Sequence, residues 1–261
     1  MRKLLILTLF TLFVSSNLLA GWKIIIHQNT NGIQQVVTYY ITKSGMKIST
    51  DEFDFIYFKT DQKVIIANHK TRSVFIGSFA EYEQQLKDLM SIDKKRADAV
   101  LPKSYFQLFD ELLAQNISDY KDDNIRTTPS LTVENTDDER RIAEYTSTEY
   151  KIYFDTVLIE RIWFSDLGVR NEFDIFECFN FFRGIKNTNL KQSKNMNTQE
   201  YEQLIYRGFP LKIANLDNFG YPVFKSEVVQ AQEIEVSEEE TFGPPKDYQT
   251  RTLVDIIMAK D

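Results

Sequence analysis

The sequence predicts an α+β, mainly β protein: a large curved antiparallel sheet covered on one side by helices. Three observations carry this expectation. Short stretches with apolar residues at every second position recur from Trp22 to Gly77 and from Ile142 to Phe164, separated by polar turns. Other segments carry apolar residues at helical spacing instead. Finally, Val157 to Phe164 is apolar on both faces, which places it inside a sheet covered on one side by helices.

With 261 residues, 43% of them hydrophobic, the chain can bury a full core as a single domain. Its first residues, MRKLLILTLFTLFVSSNLLA, have a basic start at Arg2 and Lys3, an apolar run from Leu4 to Val14, and small and polar residues ending at Ala20. That pattern predicts a secretory signal peptide over 1–20, cleaved after Ala20, and a mature domain over 21–261. The apolar run is shorter than the roughly 20 residues a spanning helix needs, so no transmembrane segment is expected in the mature chain. Without Arg2 and Lys3, 29 basic residues face 38 acidic ones, a net charge of −9. Such a surface repels phosphates, which argues against nucleic acid and acidic lipid headgroups as partners. Cys178 is the single cysteine, so no intramolecular disulfide forms; an exported chain without such staples fits a bacterial envelope, periplasmic or secreted.

In chain order, Trp22, Ile24 and Ile26 alternate with Lys23 and His27, and Val37, Tyr39 and Ile41 share a face. Met46 and Ile48 follow the Lys43-Ser44-Gly45 turn; Phe53, Phe55 and Tyr57, then Val64 to Ala67 and Val74 to Ile76, complete an antiparallel meander. At Ser78 the period changes. Ser78 and Glu81 form a capping box, after which Phe79, Tyr82, Leu86, Leu89 and Met90 fall on one helical stripe. A second helix is expected after Pro102, with Tyr105, Leu108, Phe109 and Leu112 at helical spacing. Asn116 to Glu139 is polar and reads as an exposed loop between two halves of one sheet; its aspartates lack the alternation and central glycine of a calcium loop.

Tyr150, Ile152 and Phe154 then alternate with Lys151, Tyr153 and Asp155, and Asp155-Thr156 breaks the chain into a hairpin with Val157 to Phe164. Asn171 to Gly184 reads as a helix capped by Asn171 and closed by Gly184, with only Asp174, Glu177 and Asn180 interrupting its apolar surface. Its phenylalanines either pack into the sheet or line a cavity for an apolar guest. A short helix is expected from Thr198 to Arg207, then a strand over Leu211 to Leu216, a long return strand over Tyr221 to Val236, a solvated Glu238-Glu239-Glu240 run, and a last element at Arg251 to Met258.

Several short motifs in order resemble a family of exported bacterial proteins of unknown function, related in fold to the periplasmic lipoprotein carriers LolA and LolB. They are Tyr40-Ile41 through Gly45-Met46-Lys47-Ile48 into Lys63-Val64-Ile65-Ile66; Ile142-Ala143-Glu144-Tyr145, Glu149-Tyr150-Lys151 and Trp163; Gly208-Phe209-Pro210-Leu211; and Phe242, Pro245 and Tyr248. Glu144 stands where the pattern has glycine. The resemblance covers nearly the whole mature chain. It implies a LolA/LolB-like half-barrel closed by helices on its concave side, and a cavity that accepts acyl chains in the true carriers.

Chemistry-bearing patterns are sparse. The two histidines, His27 and His69, lack neighbouring ligands at zinc-site spacing, and no nucleophile elbow, phosphate-cradling loop or dinucleotide fingerprint occurs. No cofactor or metal is expected, and the chain reads as a non-enzyme. The leading expectation is a binding module for a lipid or lipoprotein acyl chain, lined by Trp163, Phe173, Phe176, Phe179, Tyr82, Leu86 and Met90. The alternatives are an envelope structural or interaction protein with a filled core and a protein partner, and, less favoured, a hydrolase.

Overall fold

The structure, a computed structural model, describes residues 18–30, 32–92, 131–168, 203–204, 207–217 and 219–258. The N-terminal run is β1 (Leu18–Thr30), β2 (Ile33–Thr42), β3 (Gly45–Ser49), β4 (Phe53–Phe58), β5 (Lys63–Asn68) and β6 (Ser73–Ser78), followed by helix α1 (Phe79–Ile92). The later run is β7 (Leu131–Ile142), β8 (Tyr145–Phe154), β9 (Val157–Ser165), β10 (Phe209–Leu216) and β11 (Pro222–Ser237). Helix α2 (Glu238–Phe242), the short β12 (Gln249–Thr250) and helix α3 (Leu253–Met258) follow.

All twelve strands form one open, curled sheet, ordered β12-β6-β5-β4-β3-β2-β1-β11-β10-β9-β8-β7. Two antiparallel meanders thus meet where β1 pairs with β11, and the parallel contact of β12 with β6 closes one end. The two-part sheet expected from the strand pattern is therefore present, and β9 lies between β8 and β10 as its two apolar faces require.

The register explains the burial. Ile24, Tyr39, Ile48, Phe55, Ile66 and Phe75 lie opposite one another across β1 to β6 and form one row of the main core. Against this core pack Tyr82 of α1 and Leu253, Ile256 and Ile257 of α3. Helix α1 starts as its capping box requires: the Ser78 backbone N–H and hydroxyl donate to Glu81 Oε2 at 2.7 and 2.9 Å, and the Glu81 N–H returns to Ser78 Oγ at 3.3 Å. Those two donors hold the Glu81 carboxyl below its ordinary range.

The opposite face of the N-terminal half carries a second, smaller core. Ile56, Ile65, Ala67 and Val74 gather there with Val236 and Phe242. Helix α2 thus uses its Glu238-Glu239-Glu240 run as a wet side, with Glu239 and Glu240 exposed, while Phe242 is fully buried.

One boundary differs from the sequence expectation. Residues 131–139, read as the end of an exposed loop, belong to strand β7. The cause is position in the sheet: among the described residues β7 pairs only with β8, so it is an edge strand with polar groups on both faces and a bulge between Asn135 and Glu139. Charged, bulged edges protect a sheet from pairing with other chains, and they erase the alternation that marks interior strands. Residues 1–17, the helix expected after Pro102, the phenylalanine-rich segment 171–184 and most of 198–207 lie outside the described residues.

The β7–β8 turn bears on the Glu144 position. Ile142 pairs with Tyr145, and the two residues between them, Ala143 and Glu144, both take left-handed backbone angles, φ 47° and 74°. A two-residue hairpin turn of this kind matches strand twist but favours glycine. Glu144→Gly is therefore expected to raise the free energy of unfolding by about 0.5–1 kcal/mol in a urea titration, because a side chain in this region costs about 1–2 kcal/mol and glycine returns part of that as unfolded-state entropy.

Candidate functional site

Three polar constellations stand out from the apolar sheet. The first lies in the C-terminal half on the core face. Ile152 opposes Glu160, Glu160 opposes Asn215, and Asn215 opposes Phe224, so two polar side chains sit in the middle of an apolar row. The next row places Tyr150, Ile162, Ile213 and Ser226 side by side. Glu160 is fully buried and Asn215 only 1% exposed. Neither Asn215 Nδ2 nor Oδ1 has a hydrogen-bond partner. A buried amide in that condition costs about 1–3 kcal/mol, and native proteins seldom keep one without a use for it.

The second constellation is on the other face of the same strands. Glu149 is 0% exposed, and Arg161 reaches its Oε1 with both Nε and Nη2 at 2.6 Å. Thr136, in the β7 bulge, donates a longer bond of 3.4 Å to Oε2. Trp163 opposes both Glu149 and Lys212. Its ring meets Arg161, Arg140 and Lys212 at 5.3, 5.5 and 5.7 Å, distances at which a cation is attracted to an aromatic face. Lys212 is paired in turn with Glu227 at 2.6 Å. This arrangement ties five strands together electrostatically, β7 to β11, and leaves Trp163 2% exposed.

The third lies at the small core. Asp54 accepts a bond from Ser49 Oγ at 2.6 Å, pairs with Lys47 at 2.8 Å and faces His69 Nε2 at 3.3 Å. His69 Nδ1 is 2.9 Å from the Tyr248 hydroxyl. A carboxylate, an imidazole and a hydroxyl in series resemble a proton relay, but the chain end uses them as an anchor: Tyr248 also stacks edge-on against His69 and lies under Arg72. Tyr248→Phe is expected to lower stability by about 1 kcal/mol, the net value of one hydrogen bond, read as a lower urea midpoint at unchanged slope. Among the described residues, no group of three or more His, Cys, Asp or Glu side chains could hold a metal ion. No helix among them is long and apolar enough to cross a membrane.

Of the residues expected to line a cavity, Tyr82 and Trp163 have side chains among the described residues, and both belong to the main core. Tyr82 is buried against β4 to β6, where burial pushes its phenol upward. It borders a shallow apolar depression with Met46, Phe55, Tyr57, Val64 and Ile66, with space for about one water-sized body. Trp163 lies on β9, on the face opposite Ile162 and Phe164, beneath its three cations. The backbone of Leu86 and Met90 belongs to α1, while their side chains, and all of Phe173, Phe176 and Phe179, lie outside the described residues. Glu160 and Asn215 escaped the sequence reading, although alternation with Ile162 and Ile213 marks both as inward-facing.

The fold is thus a mainly β protein built on one open sheet, with polar groups set into both of its faces. No protein-family model and no curated protein matches this chain. Among solved structures it is similar to an uncharacterized conserved protein from Thermus thermophilus, at 10% identity and TM-score 0.43, over 96% of this chain and 99% of that one. It is also similar to MucB, at 11% identity and TM-score 0.40 over 88% of this chain, and to the Pseudomonas aeruginosa MucA/MucB complex, at 10% identity and TM-score 0.37 over 90% of it. The chain spans 58% and 59% of the length of those two matched chains, less than two thirds.

Proposed function

We propose that this is an exported, non-catalytic protein that holds an apolar guest with a polar end, a lipid or lipoprotein acyl chain, against the core face of β8 to β11. The observation that carries this reading is the unpaired Asn215 carboxamide, set in a wall of Ile152, Ile162, Ile213 and Phe224. An ester or amide carbonyl accepts from Nδ2 and a hydroxyl donates to Oδ1, so a guest of this chemistry satisfies what the protein leaves open. The chain of the guest adds about 0.8 kcal/mol per buried methylene, enough for useful affinity without a covalent step. Export, to the periplasm or beyond, is supported by the basic, apolar and small-residue pattern of the first 20 residues.

Native mass spectrometry of protein taken from the cell envelope tests the proposal. A bound mass that organic extraction identifies as an acyl-bearing molecule is the expected result; a clean unliganded mass under conditions that retain lipid on a known carrier overturns it. A second reading is an envelope interaction or structural protein whose core is filled by its own side chains. It is favoured by the N-terminal half, where side chains of α1 and α3 pack on the sheet beside the small depression at Tyr82. Crosslinking in the envelope that yields a protein partner and no lipid selects it.

A further inference from the structure

The two core-face rows of β8 to β11 hold one acid and no base. Followed to the neighbouring strands, they continue to Val133 and Asn135 of β7 on one side and to Thr30 and Gln28 of β1 on the other. Among the described residues of both rows Glu160 is the one carboxylic acid, and no lysine, arginine or histidine stands in either. Lys151, Arg161 and Lys225 occupy the positions in between, where alternation along each strand turns them to the other face.

Glu160 is the cross-strand neighbour of Asn215, which sets their Cβ atoms about 5 Å apart. Both side chains are buried, at 0% and 1% exposure, and the Asn215 amide has neither its donor nor its acceptor side taken. Whatever satisfies that amide therefore comes to rest beside a buried carboxyl group.

This neighbour limits the chemistry of a guest. Two carboxyls so close together in an apolar wall do not both ionise, so a guest ending in a carboxylate must take up a proton or stay out. An ammonium end only donates, and it leaves Asn215 Nδ2 open. A neutral end with both a carbonyl and an N–H or O–H answers both sides of the amide and brings no second charge. We propose, on the reading that the core face of β8 to β11 holds an apolar guest, that Glu160 sets its specificity: free fatty acids are excluded, and acyl guests whose polar end is an uncharged amide or hydroxylated ester are admitted.

Competitive retention tests the proposal. Delipidated protein is mixed with equal amounts of 1-monooleoylglycerol, oleamide and oleate, guests with the same chain and different ends, and the bound masses are read by native mass spectrometry. One or both neutral guests are expected at least about tenfold above oleate, since neighbouring carboxyls raise one another's proton affinity by at least that factor. In Glu160→Gln, which keeps the shape and removes the second acid, the ratio is expected to fall toward equality. Should that variant fold poorly, the wild-type ratio is itself the test. Oleate retained as well as the neutral guests, or a ratio that Glu160→Gln leaves as it was, overturns the role of Glu160 while the guest reading stands. Retention of none of the three overturns that reading, and the specificity with it.

Discussion

Replacing Asn215 with leucine is expected to raise the free energy of unfolding by about 1–3 kcal/mol while lowering guest retention in the same protein. The two effects have one cause. In the unliganded fold the Asn215 amide is buried with both polar atoms unpaired, so an apolar side chain of similar volume removes a desolvation cost and opens no cavity. On the proposed reading, the same change also removes the partner of the guest's polar end. Denaturant titration of stripped protein reads the first effect, and the bound fraction in native mass spectrometry reads the second. A gain in stability with unchanged retention would separate Asn215 from binding and leave it a packing defect; a loss of stability would contradict the unpaired amide itself.

Arg161→Leu is expected to cost about 3–5 kcal/mol, because it leaves the Glu149 carboxylate buried with only the long bond from Thr136. Part of the loss comes from the contact with the Trp163 ring, worth about 0.5–1 kcal/mol at a partly exposed site. Removing both charges together, with Glu149→Leu added, is expected to recover most of the stability, since no uncompensated charge then remains inside. A double-mutant cycle by urea unfolding measures the coupling. A cost below about 1 kcal/mol for the single change would place this pair with ordinary surface ion pairs.

What the sequence made legible, and what it hid, follows from where each strand sits. Strand β1 shows alternation because Trp22, Ile24 and Ile26 face the main core while Lys23 and His27 do not, and Ser78 with Glu81 marks the change of period. Strand β7 was hidden because an edge strand with one neighbour is polar on both faces. Strand β9 was legible as an interior strand, but its two apolar faces do not reveal which one meets the main core. Ile162 and Phe164 belong to it, and so does Trp163, whose ring also meets Arg140, Arg161 and Lys212 from three different strands that share no local pattern. Asn215 and Glu160 sat at inward positions all along, and a reading that tracked every inward residue, polar ones included, finds both. The second core on the far side of β4 to β6 also had a signal, the unbroken apolar run Val64 to Ala67, which a sheet wet on one face does not need.

The seam between β1 and β11 joins strands about two hundred residues apart, and it lies in the middle of the sheet. As the chain is made, the first meander therefore waits with a long bare flank until almost all of its sequence has appeared. Contacts so distant are slow to form and keep the unfinished molecule prone to misassembly. Such a molecule commits to its final shape late, once nearly all of its sequence is present.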